Sequence, residues 1–185
     1  MDYLFHTDRL QVRRFSLDDA QCLYQYHLDE AVKKWFPNEA YADLEETIDA
    51  IQFYMDCVNK KNLPYVLAVE LTESGVLIGD TGVNQVEGKP SEFEIGYVIR
   101  NGYRGNGYAA ELVEGMGQFL KSYFGMDIVY GRVIRGNNAS AKVLEKCGFS
   151  LCCVESGAED DPYGNGILVY RKELHNSCLY HNQGM

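Results

Sequence analysis

The sequence predicts an α+β fold with a mixed, mainly antiparallel sheet of six to seven strands flanked by four helices. Short apolar runs between residues 65 and 99 are separated only by turn residues, which is typical of antiparallel strands joined as a meander. A long stripe of apolar residues at helical spacing follows between 108 and 124. The predicted order is strand, two helices, three strands, helix, strand, helix and two strands.

The N-terminal part of the chain predicts one strand and two helices. Residues 9–14 alternate around Leu10 and Val12, the pattern of a half-buried strand. Ser16 and Asp19 have the spacing of a capping box, in which each side chain bonds the other's main-chain N–H, so a helix is predicted to start there. A second helix is predicted after Asp43, where apolar side chains recur on one face.

The remaining elements follow from the same rules. Strands are predicted over residues 65–71, 76–83, 93–99, 128–134, 149–154 and 167–174, and helices over 108–124 and 138–147. Glycines mark their ends: Glu73-Ser74-Gly75 and Gly88-Lys89-Pro90 predict turns or loops, and Gly125 and Gly148 are predicted to end the two helices.

The chain of 185 residues suits one domain, since it has no internal repeat and no linker-like stretch. We predict a single domain over residues 1–174 and a polar tail over 175–185. The tail carries His175, Cys178 and His181 at regular spacing, which could be read as three metal ligands. A structural zinc site needs four ligands, or three that are well supported, so no metal is predicted.

Charge and cysteine usage restrict the partners and the compartment. With 17 Lys+Arg against 27 Asp+Glu, the formal net charge of −10 argues against nucleic acid and anionic membranes and fits a cationic, amine-bearing partner. No apolar run has the length of a signal peptide or a membrane span. The six cysteines form no C-x-x-C pair, which favours reduced thiols in a cytoplasmic protein. The sequence predicts no oligomeric state.

The densest chemical signal is the stretch from Glu94 to Glu111, where a strand runs into a glycine-rich turn that opens directly onto a helix. Such a turn exposes main-chain N–H groups at the positive end of the helix, where diphosphates bind. Gly105 and Gly107 let phosphate oxygens approach the main chain, and Arg104 adds a full positive charge. A purely structural glycine turn is the alternative.

A dinucleotide is a second alternative, because residues 105–110 also fit the pattern G-x-G-x-x-A. That pattern requires an acidic residue at the end of the next strand, whereas Asp127 precedes the next strand. The preceding segment is a meander, and the 76 residues after Ala109 (185 − 109) are too few for a dinucleotide domain. An NAD-linked oxidoreductase therefore fits poorly, and the absence of G-K-[ST] excludes a Walker loop.

Three sequence blocks together resemble the GCN5-related N-acetyltransferase (GNAT) superfamily. Residues 104–109, R-G-N-G-Y-A, are similar to its R-x-x-G-x-A pyrophosphate motif. Residues 137–149, N-N-A-S-A-K-V-L-E-K-C-G-F, resemble its second signature, N-x-x-S followed by V-L-E-K-x-G-F. Residues 7–13, T-D-R-L-Q-V-R, resemble the T-x-R-L-x-L-R opening of the branch that acetylates ribosomal-protein N-termini. The blocks stand in the family's order and span about residues 7–173.

The resemblance implies an enzyme that moves an acetyl group from acetyl-CoA to a primary amine by direct attack, without a covalent enzyme intermediate. It implies that the backbone of Val98, Ile99 and Arg100 pairs with the pantetheine arm, and that a backbone N–H of the Val98–Ile99 region holds the oxyanion. The pyrophosphate would lie on Arg104, Gly105, Asn106, Gly107, Tyr108 and Ala109. Asn137 and Ser140 would contact the cofactor, although Asn137 or Asn138 could instead cap a helix and Ser140 could be a small residue in its first turn.

The resemblance also makes Glu94 the candidate base, on the strand face of Gly96 and Val98. A structural carboxylate, or one that orders water, is the alternative. Many relatives carry a tyrosine in the second signature that protonates the leaving sulfur, but the matching residue here is Leu144. Either another of the 14 tyrosines serves, or no acid is needed because a thiol of pKa about 8.5 leaves tolerably as thiolate. None of the cysteines has an obviously activating setting.

The resemblance implies that the acceptor meets the first two helices and the loops before the fourth and seventh predicted strands. Those segments contain Trp35, Phe36, Tyr41, Glu87, Glu92 and Glu159-Asp160-Asp161. Trp35 could line the acceptor pocket or belong to the core. We predict a protein or peptide N-terminal amine as acceptor; a small cationic amine, such as a polyamine or aminoglycoside, and a non-catalytic acetyl-CoA sensor are the alternatives.

Overall fold

The structure, a computed structural model, describes residues 3–36, 41–86, 88–89, 92–156, 164 and 166–175. The predicted α+β class is confirmed. The strands are β1 (Tyr3–His6), β2 (Leu10–Arg13), β3 (Tyr65–Leu71), β4 (Leu77–Gln85), β5 (Phe93–Ile99), β6 (Ile128–Ile134), β7 (Ser150–Glu155) and β8 (Ile167–Glu173). The α-helices are α1 (Ala20–His27), α2 (Glu30–Trp35), α3 (Leu44–Lys60), α4 (Tyr108–Phe119) and α5 (Asn138–Lys146).

Two of these elements, β1 and α2, were not predicted, so the described residues form eight strands and five α-helices rather than six to seven and four. The strand β1 is four residues long and forms the edge of the sheet beside β2. The helix α2 is six residues long and starts where the Asp29 carboxylate accepts the N–H of Ala31 and Val32. Both elements are too short to show a periodic pattern.

The predicted helix boundaries depend on local capping, which the structure reproduces. Ser16 and Asp19 form the capping box, and a short 3₁₀ turn over Leu17–Asp19 leads into α1. Asp43 caps α3 by accepting the N–H of Glu46. A π-helical turn over Leu120–Phe124 extends α4, and Gly125 ends it in the left-handed conformation, with φ of 68°.

The sheet has the order β1-β2-β3-β4-β5-β6-β8-β7, and all neighbours are antiparallel except β5 and β6. The parallel pair is held at one place only, where Glu94 is opposite Tyr130. The ladder does not continue toward Ile99 and Ile134. An opening is therefore left in the middle of the sheet between the C-terminal ends of β5 and β6.

Two groups of apolar side chains cover the two faces of the sheet. One group joins α4 and α5 to the sheet through Leu112, Met116 and Leu144, and the other joins α1, α2 and α3 to it through residues such as Leu23, Val32 and Ile51. Alternation along β5 sends Ile95 and Ile99 to the first group and Val98 to the second. Glu94, Gly96 and Val98 therefore share the face covered by α1, α2 and α3.

The described residues contain no helix with the length and apolar character needed to cross a membrane. Five cysteines, at positions 22, 57, 147, 152 and 153, are free thiols. Cys178 and His181 lie outside the described residues, as do Glu87 and the acidic stretch Glu159-Asp160-Asp161.

Candidate active site

A cleft of about 590 Å³ occupies the opening between β5 and β6. Its walls come from both strands, from α2, from the glycine-rich loop before α4 and from α5. The cleft therefore brings together segments that are distant in sequence. Two of the three blocks that carry the family resemblance, residues 104–109 and 137–149, contribute to it. Its volume is within the usual range for small-molecule sites, about 300–1,000 Å³.

The glycine-rich loop forms one end of this cleft. Gly105 and Gly107 have φ angles of 80° and 84°, a conformation that L side chains rarely adopt. Gly107 caps α4 without a side-chain hydrogen bond, so the N–H groups of the first turn have no partner within the helix. Tyr108 and Ala109 of that turn line the cleft. A positive helix end with open main-chain donors fits a pyrophosphate.

The loop is braced from the turn between β1 and β2. Thr7 donates through Oγ1 to Glu111 Oε1 at 2.6 Å, and Arg9 donates through Nε to Glu111 Oε2 at 2.7 Å. Arg9 also donates through Nη1 to the Asn106 carbonyl at 3.1 Å and lies 4.5 Å above the ring of Tyr108. Burial acts to raise the pKa of Glu111, but the bonds from Thr7 and Arg9 hold it below its ordinary value.

Arg104 links the same loop to β5 and α2. Its Nε donates to the carbonyl of Ile99 at 2.7 Å, and its Nη2 lies 3.5 Å from Asp29 Oδ1. Arg104 lines the cleft beside Gly105 and Gly107, as the sequence predicts for a positive charge at this turn. It is therefore already oriented by two protein oxygens.

The three predicted main-chain positions at the end of β5 differ in their partners. The N–H of Arg100 donates to the Ile78 carbonyl on the β4 side, and its carbonyl accepts the N–H of Tyr103. Since main-chain groups alternate in direction along a strand, those of Ile99 face β6 and those of Val98 face β4. Val98 and Ile99 line the cleft. Ile99 is thus the position whose N–H faces the cavity.

Asn137 and Ser140 reach the cleft from the start of α5. Asn137 caps the helix, because its Oδ1 accepts the N–H of Ser140 at 3.2 Å, so the capping alternative and a place in the cleft both hold. Ser140 Oγ lies 3.0 Å from the hydroxyl of Tyr97, which also lines the cleft. Burial raises the pKa of Tyr97 to about 12, against the effect of Ser140, so this phenol stays protonated near neutral pH.

The Tyr97–Ser140 pair was not predicted from sequence. The hydroxyl pair depends on a contact between residues 43 positions apart, and the only signal was a tyrosine inside a strand next to the glycine-rich turn. Leu144, in contrast, is 2% exposed and packs against Gly131, where its Cδ1 leaves no room for a Cβ. Leu144, which matches the tyrosine that protonates the leaving sulfur in many relatives, therefore belongs to the core in this protein.

Glu94 lies at the start of β5, where the parallel strands still pair. Its Oε2 is buried and lies 3.4 Å from Nε of Arg132, whose Nη2 lies 2.5 Å from Glu155 Oε2. Burial raises the pKa of Glu94; the charge of Arg132 works against this and that of Glu155 adds to it. Within the described part of the chain, Arg132 lines the cleft but Glu94 does not.

A second, smaller cavity of about 160 Å³ lies under α1 and α3, next to Gly96 and Val98 of β5. It shares three residues with the cleft, Phe36, Tyr97 and Val98, so the two cavities meet at β5. Tyr41 lines the second cavity, whereas Trp35 lines the cleft, with its ring near Gly136. Trp35 is accordingly neither a wall of the small cavity nor part of the core.

Comparison with known proteins agrees with this arrangement. The family model described as "Acetyltransferase (GNAT) domain" matches residues 9–150. An uncharacterized N-acetyltransferase, p20 of Bacillus licheniformis, is 26% identical over 144 residues, 78% of this chain and 80% of the relative.

Solved structures show the same fold. The ribosomal-protein-S5-alanine acetyltransferase of Vibrio fischeri has a TM-score of 0.77 at 19% identity, over 92% of this chain and 96% of that one. The spermidine N-acetyltransferase of Vibrio cholerae, solved with CoA and spermine, has a TM-score of 0.75 at 16% identity, over 89% and 95%.

The fold and the cleft thus define an acetyl-CoA-dependent acyltransferase. The chain belongs to the GNAT family of N-acetyltransferases. The resemblance identified from the three sequence blocks is confirmed, and so is acetyl-CoA as the acetyl donor, since it is the donor that this family uses.

Proposed function

We propose that this enzyme acetylates the N-terminal amine of a protein or peptide, by direct attack of the amine on the thioester. The observation that carries the proposal is the meeting of two cavities at β5: a large cleft with an anion-binding loop at one end, and a residue-sized pocket under α1 and α3. Acetyl-CoA bound in the cleft and an amine bound in the pocket would meet at this strand. The amine can then attack the thioester directly, without a covalent enzyme intermediate.

On the donor side, the proposed contacts are those named from the sequence. The loop from Arg104 to Ala109 holds the pyrophosphate, the main chain of β5 from Val98 to Arg100 runs beside the pantetheine, and Asn137 and Ser140 contact it from α5. Acetyl-CoA supplies an activated acetyl thioester when bound. The N–H of Ile99 is the best-directed donor for the oxygen that becomes negative as the amine adds.

Proton transfer is assigned to Glu94, which receives the proton of the amine through water, since among the described residues Glu94 lines neither cavity and lies four residues from Val98 along β5. Its raised pKa makes it a stronger base than an ordinary carboxylate. On the sulfur side, Tyr97 and Ser140 place hydroxyl donors in the cleft. A phenol with a pKa of about 12 stabilises a thiolate by hydrogen bonding rather than by giving up its proton.

Direct attack is supported by the state of the cysteines. Cys147 is buried, its thiol donates to the carbonyl of Ala110, and burial raises its pKa to about 11. Such a thiol is a poor nucleophile near neutral pH. Among the described residues, no cysteine lines either cavity.

The N-terminal amine is favoured by proton chemistry and by similarity. An α-amine has a pKa of about 7.7–8.0 and a lysine amine one of about 10.4, so deprotonation at pH 7 costs about 1 kcal/mol for the first and about 4–5 kcal/mol for the second. The opening block of the sequence resembles the same branch of the family. A small cationic amine is the second candidate, because a spermidine acetyltransferase shares the fold and the small cavity contains a carboxylate, Asp80.

The test is thiol release from acetyl-CoA at neutral pH with three acceptors: a peptide with a free N-terminus, the same peptide with a blocked N-terminus and one internal lysine, and a polyamine. We expect the free N-terminus to react fastest and the polyamine next. A preference for the lysine peptide would overturn the choice of acceptor. Tight binding of acetyl-CoA with no thiol release in any reaction would instead identify a sensor.

A further inference from the structure

The small cavity under α1 and α3 contains one carboxylate among the described residues that line it, that of Asp80. Asp80 lies on β4 directly opposite Val98, which is one of the three residues that line both cavities. Its side chain is only 13% exposed. An ionised group in this position is expensive to leave without a partner, because little water reaches it.

The carboxylate of Asp80 is held from one side. The hydroxyl of Tyr26 donates to Oδ2 at 2.6 Å, and Nε2 of His27 lies 3.6 Å from the same oxygen. Burial, together with the charge and hydrogen bond of Asp80, raises the pKa of Tyr26, so the phenol remains a donor. Within the described part of the chain, no hydrogen bond reaches Oδ1. One oxygen is therefore anchored to α1, and the other is available to a ligand.

The surroundings of Asp80 suit an organic cation. Beside the Asp80–Val98 pair, Gly82 is opposite Gly96, so the sheet presents bare main chain there, and a Cβ on Gly96 would meet nothing within 4 Å. Phenyl and phenol rings form much of the rest of the wall: those of Phe15, Phe36, Tyr41 and Tyr54. Aromatic faces and a desolvated carboxylate both attract ammonium groups and both disfavour anions.

We propose that Asp80 is the specificity residue of the acceptor site: its free oxygen binds the ammonium form of the acceptor amine, and its charge excludes acceptors that carry a carboxylate next to that amine. The proposal rests on the proposed function and deepens it. The class of acceptor it defines is a primary amine on a neutral or cationic group of about one residue in size, since the cavity measures about 160 Å³.

Two peptides that differ only in their first residue, asparagine or aspartate, test this proposal. Their side chains have nearly the same shape, and they differ by one negative charge close to the reacting amine. We expect kcat/KM of the unmodified enzyme to be at least about tenfold higher for the asparagine peptide, because a second carboxylate close to Asp80 is repelled in a site of low dielectric constant. Equal values for the two peptides would overturn the proposal without any variant.

The variant Asp80→Asn keeps the shape of the side chain and removes its charge. We expect it to raise KM for the asparagine peptide by roughly 10- to 100-fold, as for a lost charge-assisted hydrogen bond, and to narrow the preference between the peptides to less than about threefold. KM for acetyl-CoA should stay unchanged. The matched control is Asp56→Asn, which removes an exposed carboxylate of α3 that pairs with Lys60.

The outcomes separate this proposal from the one it rests on. If the unmodified enzyme acetylates neither peptide nor any other amine, the proposed function fails. If it acetylates them but a folded Asp80→Asn variant keeps both the KM and the preference of the unmodified enzyme, the role of Asp80 fails and the proposed function stands. If the variant does not fold, the comparison of the two peptides on the unmodified enzyme decides.

Discussion

Glu94 combines burial, one cationic neighbour and a position on the acceptor face of β5, a combination that suits a proton acceptor better than a surface carboxylate. The substitution Glu94→Gln keeps the shape and removes the basicity. We expect it to lower kcat at neutral pH by roughly 10²–10⁴, with the affinity for acetyl-CoA nearly intact. Steady-state rates and calorimetric titration measure the two quantities. A fall of less than threefold would show that water, or the ionisation of the substrate itself, removes the proton.

A substitution at Glu155 can change the pKa of Glu94 without changing Glu94 itself. Its negative charge raises the pKa of Glu94, and it also holds Arg132, whose positive charge lowers that pKa. The variant Glu155→Gln removes the negative charge that raises the pKa of Glu94. It also frees Arg132 from Glu155, so that Arg132 interacts more strongly with Glu94. Both changes lower the pKa of Glu94. Glu94 then stays deprotonated to lower pH, and we expect the acid limb of kcat/KM to move to lower pH.

The pH profile must be measured with the same acceptor peptide for both proteins, so that ionisation of the amine itself cancels. Glu173→Gln serves as the control, since Glu173 pairs with Arg171 at the end of β8 and, among the described residues, forms no ion pair with Arg132. A limb that stays in place, or one that moves to higher pH, would contradict the role assigned to Glu94.

At the scale of elements, the turn between β1 and β2 and the start of α4 behave as one unit. Arg9 reaches both the carboxylate of Glu111 and the main chain of Asn106, so it fixes the loop that is proposed to hold the pyrophosphate. We expect Arg9→Ala to raise KM for acetyl-CoA by roughly 3- to 30-fold, the loss of one or two charge-assisted bonds at a half-exposed site. KM for the amine should not change.

Arg9→Lys is the informative companion, because an ammonium keeps the charge but lacks the planar fork that spans two acceptors. We expect the KM of Arg9→Lys for acetyl-CoA to lie between that of the unmodified enzyme and that of Arg9→Ala. Arg171→Ala, which removes another partly exposed ion pair far from the loop, is the control. Equal increases in KM for both substrates would show a general loss of structure instead of a loop effect.

The elements themselves were largely predictable, because their signals are local. Strand β5, the glycine-rich turn and α4 follow one another directly in the sequence, and the capping residues Ser16, Asp43 and Gly125 act within a few positions. The contacts that complete the site are not local. Thr7 and Glu111 are 104 positions apart, and Tyr26 and Asp80 are 54 apart. No periodicity in the sequence indicates such pairs, which arise only when the sheet brings its strands together.

On the scale of the whole molecule, the opening in the sheet couples ligand binding to stability. The strands β5 and β6 pair at one position only, so the two halves of the sheet are joined there mainly through the helices and the cleft walls. A ligand that binds only the folded chain stabilises it by about 2.7 kcal/mol at a concentration of 100 times its Kd. For a domain of this size, that free energy corresponds to a rise in Tm of roughly 5–10 °C.

This rise gives a test of the loop that needs no acceptor. In Gly107→Val, a β-branched side chain must adopt φ of 84°, and its Cβ lies beside Nη2 of Arg9 at the open end of α4. We expect the variant to lose most of the Tm rise produced by acetyl-CoA. Gly75→Val is a closely matched control: Gly75 has φ of 65° in the turn between β3 and β4, and a Cβ there meets nothing within 4 Å. The two substitutions impose similar backbone strain, so both should lower the Tm of the free protein, and only Gly75→Val should keep the full response to acetyl-CoA. A full Tm rise with acetyl-CoA in a folded Gly107→Val variant would show that the pyrophosphate does not bind at this loop.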